Sequence, residues 1–554
     1  MQFNFTRQNL TAGERRLQRF LEILPGLTSW SILLGVTALS ITNPLVAAIV
    51  IIAFHLFWFF RLLYMTLFLG LSYFRLLSEK DTDWMKRIQD IDHLRESSKK
   101  IRYEGKRDLG KWISFFVYKQ ELKKLGKSGN PPPLSRDIYH LVIFPIIKES
   151  RDVVEPGIKS LSEQDFPAER ILVVFALEER ADAKIKDSVL ALEKKYKDHF
   201  LDTLVIVHPS DLPGEARVKG ANVTFAAKHA AEYFKKKEVL FANVVVSCFD
   251  ADTIVGPEYF PCLTYHFMVT PSRIQCSFQP VPVYHNNIWQ VPGFARVIET
   301  GSSFFQLIEA TNPKKLVTFS SHSMSFQALV EVEYWPVDMI SDDSAIYWKS
   351  LIHYDGRYSV IPMYVTLSMD VVGADTFWQT ARNVYKQKRR WAWGVENFPI
   401  VMRAFLKSGK SDKSGKSGKI PFYDKFRYIF KLFEGHISWA TWGFLLAFIG
   451  WFPIIFARGE FTSSVMYYNA PRITQTIFNL ALLSLLISII LSISLLPKTD
   501  IRHPLRKKIG HALEWLLIPV ILLIFSALPS LDAQTRLMFG RYMEFWVADK
   551  TRKK

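Results

Sequence analysis

Three polar clusters follow one another between Asp250 and Trp391: Asp250-Ala251-Asp252, then Ser341-Asp342-Asp343, then Gln387-Lys388-Arg389-Arg390-Trp391. Two neighbouring carboxylates repel unless a cation sits between them and an incoming anion, so the first cluster suits a metal-bound diphosphate. Hard oxygen ligands facing a diphosphate select Mg2+ or Mn2+ over zinc. A later carboxylate can deprotonate an acceptor hydroxyl. An arginine can fork two hydrogen bonds to a phosphate, and a tryptophan can stack on the apolar face of a sugar ring. Together these groups supply what transfer of a sugar from a nucleotide diphosphate requires.

Each cluster also has a plainer reading. Asp-x-Asp arises by chance in many chains of this length. Ser341 followed by two acids can simply open a helix, with Ser341 as cap and the acids favouring the dipole. The Arg-Trp segment can be a membrane-interface helix with snorkelling Lys and Arg. If it is a helix, Gln387, Arg390, Trp391 and Gly394 share one face.

The elements that must position these groups read as an α/β domain. Short apolar runs at 140–145, 171–175, 204–207 and 239–246 alternate with helical stretches. That pattern predicts a mostly parallel sheet covered on both faces. Ligands of such sheets bind outside the carboxyl ends of the strands, and Asp250-Ala251-Asp252 falls just past the fourth run.

Apolar segments flank this domain. Residues 27–74 carry little charge besides Arg61, and Asn43-Pro44 splits them into a helical hairpin through a bilayer. The first half lacks a small-residue cleavage site and is expected to stay. Arg7, Arg15, Arg16 and Arg19 precede the hairpin, and Arg75, Lys80, Lys86 and Arg87 follow it. The positive-inside rule then places both ends in the cytoplasm.

Three further apolar segments lie at about 437–456, 473–496 and 512–530, and Lys498, Arg502, Arg506, Lys507 and Lys508 between the last two mark a cytoplasmic loop. Five crossings would leave the tail outside, yet it ends Lys550-Thr551-Arg552-Lys553-Lys554. Either the tail breaks the charge rule or one segment is re-entrant or interfacial, with Pro519 and Pro529 favouring a bent last segment.

The chain has 554 residues, 49% of them apolar, enough for a catalytic domain and several spans. Its net charge of +18 sits largely beside the spans and in the Gly/Ser/Lys stretch at 407–419. Binding to anionic lipid accounts for it without a nucleic acid. That stretch lacks a preceding strand and the GxxxxGK[ST] order of a phosphate loop. Three cysteines, Cys248, Cys262 and Cys276, with no CxxC pair, predict neither a disulfide framework nor a structural zinc.

The ordered clusters resemble a family-2 glycosyltransferase of the membrane-embedded type that includes bacterial cellulose, hyaluronan and chitin synthases. The likeness spans roughly residues 138–395. It implies a GT-A-type nucleotide-sugar-binding domain inserted between transmembrane helices. By that resemblance Asp250 and Asp252 would hold the metal and Asp250 the nucleotide sugar. Asp343 would be the general base that ends a Thr-Glu-Asp motif, with Asp342 beside the substrate. Gln387, Arg390 and Trp391 would match Gln-x-x-Arg-Trp, lining the acceptor channel and the pyrophosphate. Pro145 and Glu149 resemble a Pro-x-x-x-Glu signature, and Lys219-Gly220-Ala221-Asn222 a Lys-containing segment beside the donor. Phe319-Ser320-Ser321-His322 falls where those synthases carry a small-residue loop near the acceptor. Phe545-Trp546-Val547-Ala548-Asp549-Lys550 resembles their Phe-x-Val-Thr-x-Lys gating loop, with alanine for threonine. One departure is Leu177-Glu178-Glu179-Arg180 where many members read Asp-Asp-Gly-Ser; Glu178 or Glu179 would then reach the nucleobase.

The expected layout is a transmembrane hairpin at 1–77, a helical segment and linker at 78–135 and the transferase domain at 136–400. A basic linker with an interfacial helix follows at 401–436, then C-terminal spans at 437–530 and a basic tail at 531–554. The expected activity is inverting transfer from a nucleotide diphosphate sugar, UDP-linked by resemblance, to a polysaccharide or lipid acceptor. The protein would sit in the plasma (inner) membrane, in contact with its lipids, with the catalytic domain cytoplasmic. The competing reading is a transporter or scaffold with a nucleotide-binding cytosolic domain. Against it, few ionisable residues lie within the spans, where transport sites usually show them.

Overall fold

The structure, a computed structural model, describes residues 3–93, 108–407, 420–495 and 505–546. Most of the Lys/Ser/Gly repeat, Lys498 and Arg502 of the basic loop, and the tail from Val547 onward lie outside the described residues, as do the side chains of Arg506, Lys507 and Lys508.

Eight strands form one mixed sheet: β1 (Tyr139–Ile146), β2 (Ile171–Glu178), β3 (Asp202–His208), β4 (Val244–Cys248), β5 (Ile254–Val255), β6 (Cys276–Val283), β7 (Ser323–Ser325) and β8 (Ser359–Ser368). Their spatial order is β3-β2-β1-β4-β7-β6-β8-β5. The first four are parallel, with Ile143 opposite both Val174 and Cys248. β7 runs antiparallel to its two neighbours, and β6 and β8 pair in parallel beyond it. The apolar runs read from sequence thus become the parallel half of the sheet.

Two-residue alternation along those strands feeds two cores. Val142, Phe144, Val173 and Phe175 pack on one face of the sheet with the Tyr259–Val269 helix. Leu141, Ile143, Leu172, Val174 and Val246 pack on the other with the Lys219–Lys236 and Asp342–His353 helices. Being covered on both sides, β1 and β2 read as continuous apolar runs. β3, at the edge, is only partly buried.

The flanking helices are long. Ala12–Thr42 and Pro44–Glu79 form the hairpin, and the turn follows from Asn43-Pro44: the Asn43 side chain accepts from the Val46 N–H, and Pro44 opens the second helix without needing an N–H. With Val465–Leu495 and Ala512–Met538, four helices are long and apolar enough to cross a membrane. Phe422–Ala447 and Ile449–Ile455 pass the same test as a pair bent by 49°. Arg61, the one charge noted in the hairpin, is paired: its Nη1 lies 2.7 Å from Glu434 Oε1. Trp58 and Trp442 stack nearby, and His55 Nδ1 meets Thr474 Oγ1 at 3.3 Å.

The last apolar segment is broken. A 3-10 turn at Trp515–Leu517 precedes Pro519, and a π-turn at Leu523–Ala527 precedes Pro529. Both of its ends touch the α/β domain. Glu514 ion-pairs with Arg296 at one end, and Asp532 with Arg389 at 2.8 Å toward the other. Between them Phe525 stacks on Phe294, with ring centroids 4.8 Å apart.

Candidate active site

The carboxyl ends of β1, β2 and β4 open onto a shallow cleft of about 80 Å³. Pro145 enters it near the end of β1 and Glu149 just past that strand, Glu178 from the last position of β2 and Asp250 just past β4. Lys219, at the first position of its helix, closes one wall and Arg390 another. Phe545 of the C-terminal tail lines the same cleft, with the Arg390 guanidinium 5.0 Å from its ring centroid.

Lys219 is the electrostatic centre. Its Nζ donates to Asp250 Oδ1 at 2.9 Å and to Asp343 Oδ1 at 3.0 Å. Burial alone would lower the lysine's pKa, but the Asp250 and Asp343 carboxylates outweigh it and hold the ammonium well above its usual value. The lysine gets this close because of its neighbour. A Cβ at Gly220 would lie 2.3 Å from the Pro336 carbonyl oxygen, so only glycine lets the helix meet the loop that leads to the acids.

The Ser320 hydroxyl donates to Asp250 Oδ2, and the Ser321 hydroxyl accepts from the Asp250 N–H at 3.1 Å. Ser321 itself has φ 59°, a left-handed backbone at a buried non-glycine residue. Asp252 points inward: it is fully buried, and its Oδ2 accepts from the Asp370 N–H at 2.7 Å. The pair at i and i+2 therefore divides, Asp250 toward the cleft and Asp252 into the core.

Asp342 and Asp343 open the Asp342–His353 helix, but Ser341 does not cap it with its side chain. The Ser341 hydroxyl is instead given to Glu396 Oε1 at 2.8 Å. Asp343 keeps a quarter of its side chain exposed beside Lys219. Asp342 is buried, with Oδ2 lacking a hydrogen-bond partner among the described residues. Burial first, then the Asp343 charge, push its pKa up to about 8, with Lys219 opposing. His322 lies buried next to them, its Nδ1–H directed to the Phe319 carbonyl at 3.0 Å; burial lowers its pKa.

The Arg-Trp segment is a helix, Phe377–Ala392; Gly394 falls just beyond it, in a 3-10 turn. Trp391 is held edge-on against Phe319, ring centroids 5.4 Å apart, with the Lys388 ammonium over its own face. Lys388 is buried and paired with Glu299 at 2.8 Å. Gln387 is buried, its Oε1 without a hydrogen-bond partner among the described residues.

At the β2 end of the cleft, Glu178 Oε2 accepts from Arg180 Nε at 3.2 Å. Glu179 does not join it. It is exposed and turned outward, its carboxylate accepting from the Ser210 N–H. The structure thus gathers Glu149, Glu178, Lys219, Asp250 and Arg390 in one cleft, with Asp343 beside it. Sequence reasoning passed over Glu396 and Asn397, whose Nδ2 donates to the Ser341 hydroxyl at 3.1 Å; Ser320 lies in the small-residue loop it had singled out. The only signal for Glu396 and Asn397 was their place a few residues past Trp391, beyond the motif itself.

A family model, glycosyl transferase family group 2, matches residues 245–527, just over half of the chain. The chain belongs to this family. The enzyme is a glycosyltransferase whose α/β domain, resembling the GT-A fold, lies between apolar helices at both ends of the chain. Among solved structures, a mannosyltransferase from Pyrobaculum calidifontis in complex with GDP-Man and Mn2+ aligns at 13% identity and TM-score 0.36, over 75% of this chain and 99% of its own. TarS 1–349 of S. aureus in complex with UDP-GlcNAc aligns at 14% identity and TM-score 0.34, over 74% and 95%. No curated protein matches the glycosyltransferase in sequence.

No group of three or more His, Cys, Asp or Glu side chains forms a metal site among the described residues. The oxygen donors nonetheless fit a cation that completes its shell from diphosphate and water, since Asp250 offers a carboxylate directly to the cleft.

Proposed function

We propose that this glycosyltransferase inverts configuration in a single displacement, moving a sugar from a UDP-linked donor to a hydroxyl of a growing polysaccharide or glycolipid. The observation that carries this reading is Lys219, whose ammonium lies within 3.0 Å of both Asp250 and Asp343. It ties the carboxylate at the donor end to the one suited to receive a proton.

Asp343 takes the proton of the acceptor hydroxyl. The new C–O bond forms at the anomeric carbon as its bond to the β-phosphate oxygen breaks, and the nucleoside diphosphate departs. Arg390 and Lys219 meet the charge that builds on the leaving group. Glu178 faces the nucleobase, and Glu149 stiffens the cleft by accepting the Ile147 and Lys148 N–H groups. Trp391 and Gln387 border the acceptor. Asp250, with Asp252 behind it, would hold Mg2+ or Mn2+, which neutralises diphosphate charge when bound.

The protein is membrane-associated through its long apolar helices. We place the catalytic domain in the cytoplasm at the plasma membrane, on Arg7, on Arg15, Arg16 and Arg19 in the first turns of Ala12–Thr42, and on the basic residues after the hairpin. Because Ala512–Met538 begins and ends against the catalytic domain, it lies along the interface rather than across it. The hairpin, the bent pair and Val465–Leu495 then make four crossings. That keeps the tail on the catalytic side, a layout supported by Phe545 lining the cleft.

The test is nucleotide diphosphate release by the purified protein in lipid nanodiscs, across UDP- and GDP-sugars with Mg2+ or Mn2+. Release from one donor, lost in Asp343→Asn, supports the reading and names the sugar. Full release by Asp343→Asn would remove its base. Product length after a single-turnover chase separates polymer synthesis from single transfer.

A further inference from the structure

The Gln387–Trp391 helix and the acidic turn are joined by a residue that neither motif contains. Glu396 sits in the 3-10 turn that follows the helix and is fully buried. One of its oxygens, Oε1, accepts three hydrogen bonds from the residues leading into the acids: the Ile340 N–H at 3.0 Å, the Ser341 N–H at 2.9 Å and the Ser341 hydroxyl. The other, Oε2, accepts from Trp393 Nε1–H at 2.9 Å. A carboxylate that organises the backbone N–H groups of a turn fixes that turn far more firmly than a neutral acceptor would.

A buried carboxylate needs a counter-charge. Arg7 provides it, with Nη1 3.1 Å from Glu396 Oε2, as an ion pair rather than an aligned hydrogen bond. Arg7 is not a loose surface residue. Its backbone N–H and Nη2 are tied to Asp338, and the Thr6 hydroxyl also donates to Asp338 Oδ2. Arg403 Nη2 donates to the Thr6 carbonyl, and Phe5 is buried in the core. The segment before the first membrane helix is thereby strapped onto the catalytic domain at the loop preceding Asp342. The same guanidinium lies 5.1 Å from the ring centroid of Tyr542, in the tail that carries Phe545 into the donor cleft.

We propose that Glu396, neutralised by Arg7, is the positioning residue that sets the Ser341-Asp342-Asp343 turn against Lys219. This rests on the reading of Asp343 as the base and deepens it. Glu396 touches no reacting atom in this scheme; it acts through the turn. Losing it lets Asp343 drift from the acceptor while the donor cleft, built from β1, β2 and β4, stays intact. Displacements of this size weaken the chemical step more than ground-state binding.

The experiment uses the full chain in nanodiscs with Arg7→Ala, Arg7→Lys, Glu396→Gln and Asp343→Asn, reading UDP and GDP binding separately from turnover on the sugar-nucleotide panel. Arg7→Ala and Glu396→Gln are expected to lower kcat by about tenfold or more while nucleotide affinity stays within about twofold. Arg7→Lys, which keeps the charge, should recover most of the loss. If Glu396→Gln does not fold, Arg7→Ala decides alone. Unchanged kcat in Arg7→Ala would overturn the proposal, and so would nucleotide affinity falling in step with kcat. Asp343→Asn keeps the two levels apart. If it is inactive while Arg7→Ala turns over normally, only the positioning role fails; if it is fully active, the base assignment itself fails.

Discussion

One ammonium group faces two carboxylates in the cleft, so the charge balance of the site hangs on Lys219. In Lys219→Met, Asp250 and Asp343 would face the incoming diphosphate uncompensated. UDP affinity should fall by about tenfold or more at low salt, read by calorimetry; unchanged affinity would show that the lysine is only structural. Asp343→Asn should leave UDP affinity intact and lower turnover by about 10²–10⁴. Asp342 makes a different prediction. Its pKa is about 8 in the fold against an ordinary 3.8, so between those values the folded state holds a proton the unfolded chain has released. Stability therefore falls as pH rises from 3.8 to about 8 and levels off above. Asp342→Asn should remove that part of the slope in a series of Tm measurements, and parallel curves for the two proteins would contradict the assignment.

Among the elements, the sheet was readable before the fold. The apolar runs fall in β1 to β4, and β1 and β2 were plainest because strands buried on both faces leave little room for polar positions. β3 at the edge is only partly buried, and only the end of the 239–246 run enters β4. β7 was not readable. It has only three residues, two serines around Met324, too short for a readable pattern, and only pairing with Val246 and Phe278 makes them a strand. The division of Asp250 from Asp252 was equally hidden, since it depends on the Asp370 N–H, a long way along the chain. Close helix approach gives the prediction at this scale. Gly220→Ala places a methyl group 2.3 Å from the Pro336 oxygen, and the backbone must shift to accept it. We expect a loss of about 1–3 kcal/mol in stability, as for other overpacked sites, and weaker turnover because Lys219 moves with the helix. Wild-type denaturation and turnover together would refute it.

For the whole molecule, charge counting left the side of the tail undecided, and side-chain contacts favour the four-crossing layout we propose. Glu514 and Asp532 are both held by arginines of the catalytic domain, and Phe545 reaches its cleft. A membrane-impermeant maleimide should therefore label Tyr542→Cys and Glu238→Cys from the same side of sealed vesicles. The native cysteines, all buried, give a low background. Labelling from opposite sides would rule out the four-crossing layout.

By itself the sequence determined which strands are buried, where the hairpin turns and which residue types could carry sugar transfer. Those features follow from local periodicity, turn chemistry and the fixed reactivity of carboxylate, guanidinium and indole. Tertiary structure alone decided that Lys219 bridges Asp250 and Asp343, that Glu179 and Asp252 turn away from the cleft, and that Arg7 and Glu396 brace the acidic turn. These pairings join residues far apart along the chain. Their energies depend on distance, burial and the partners that desolvation forces together, and spacing along the chain encodes none of the three.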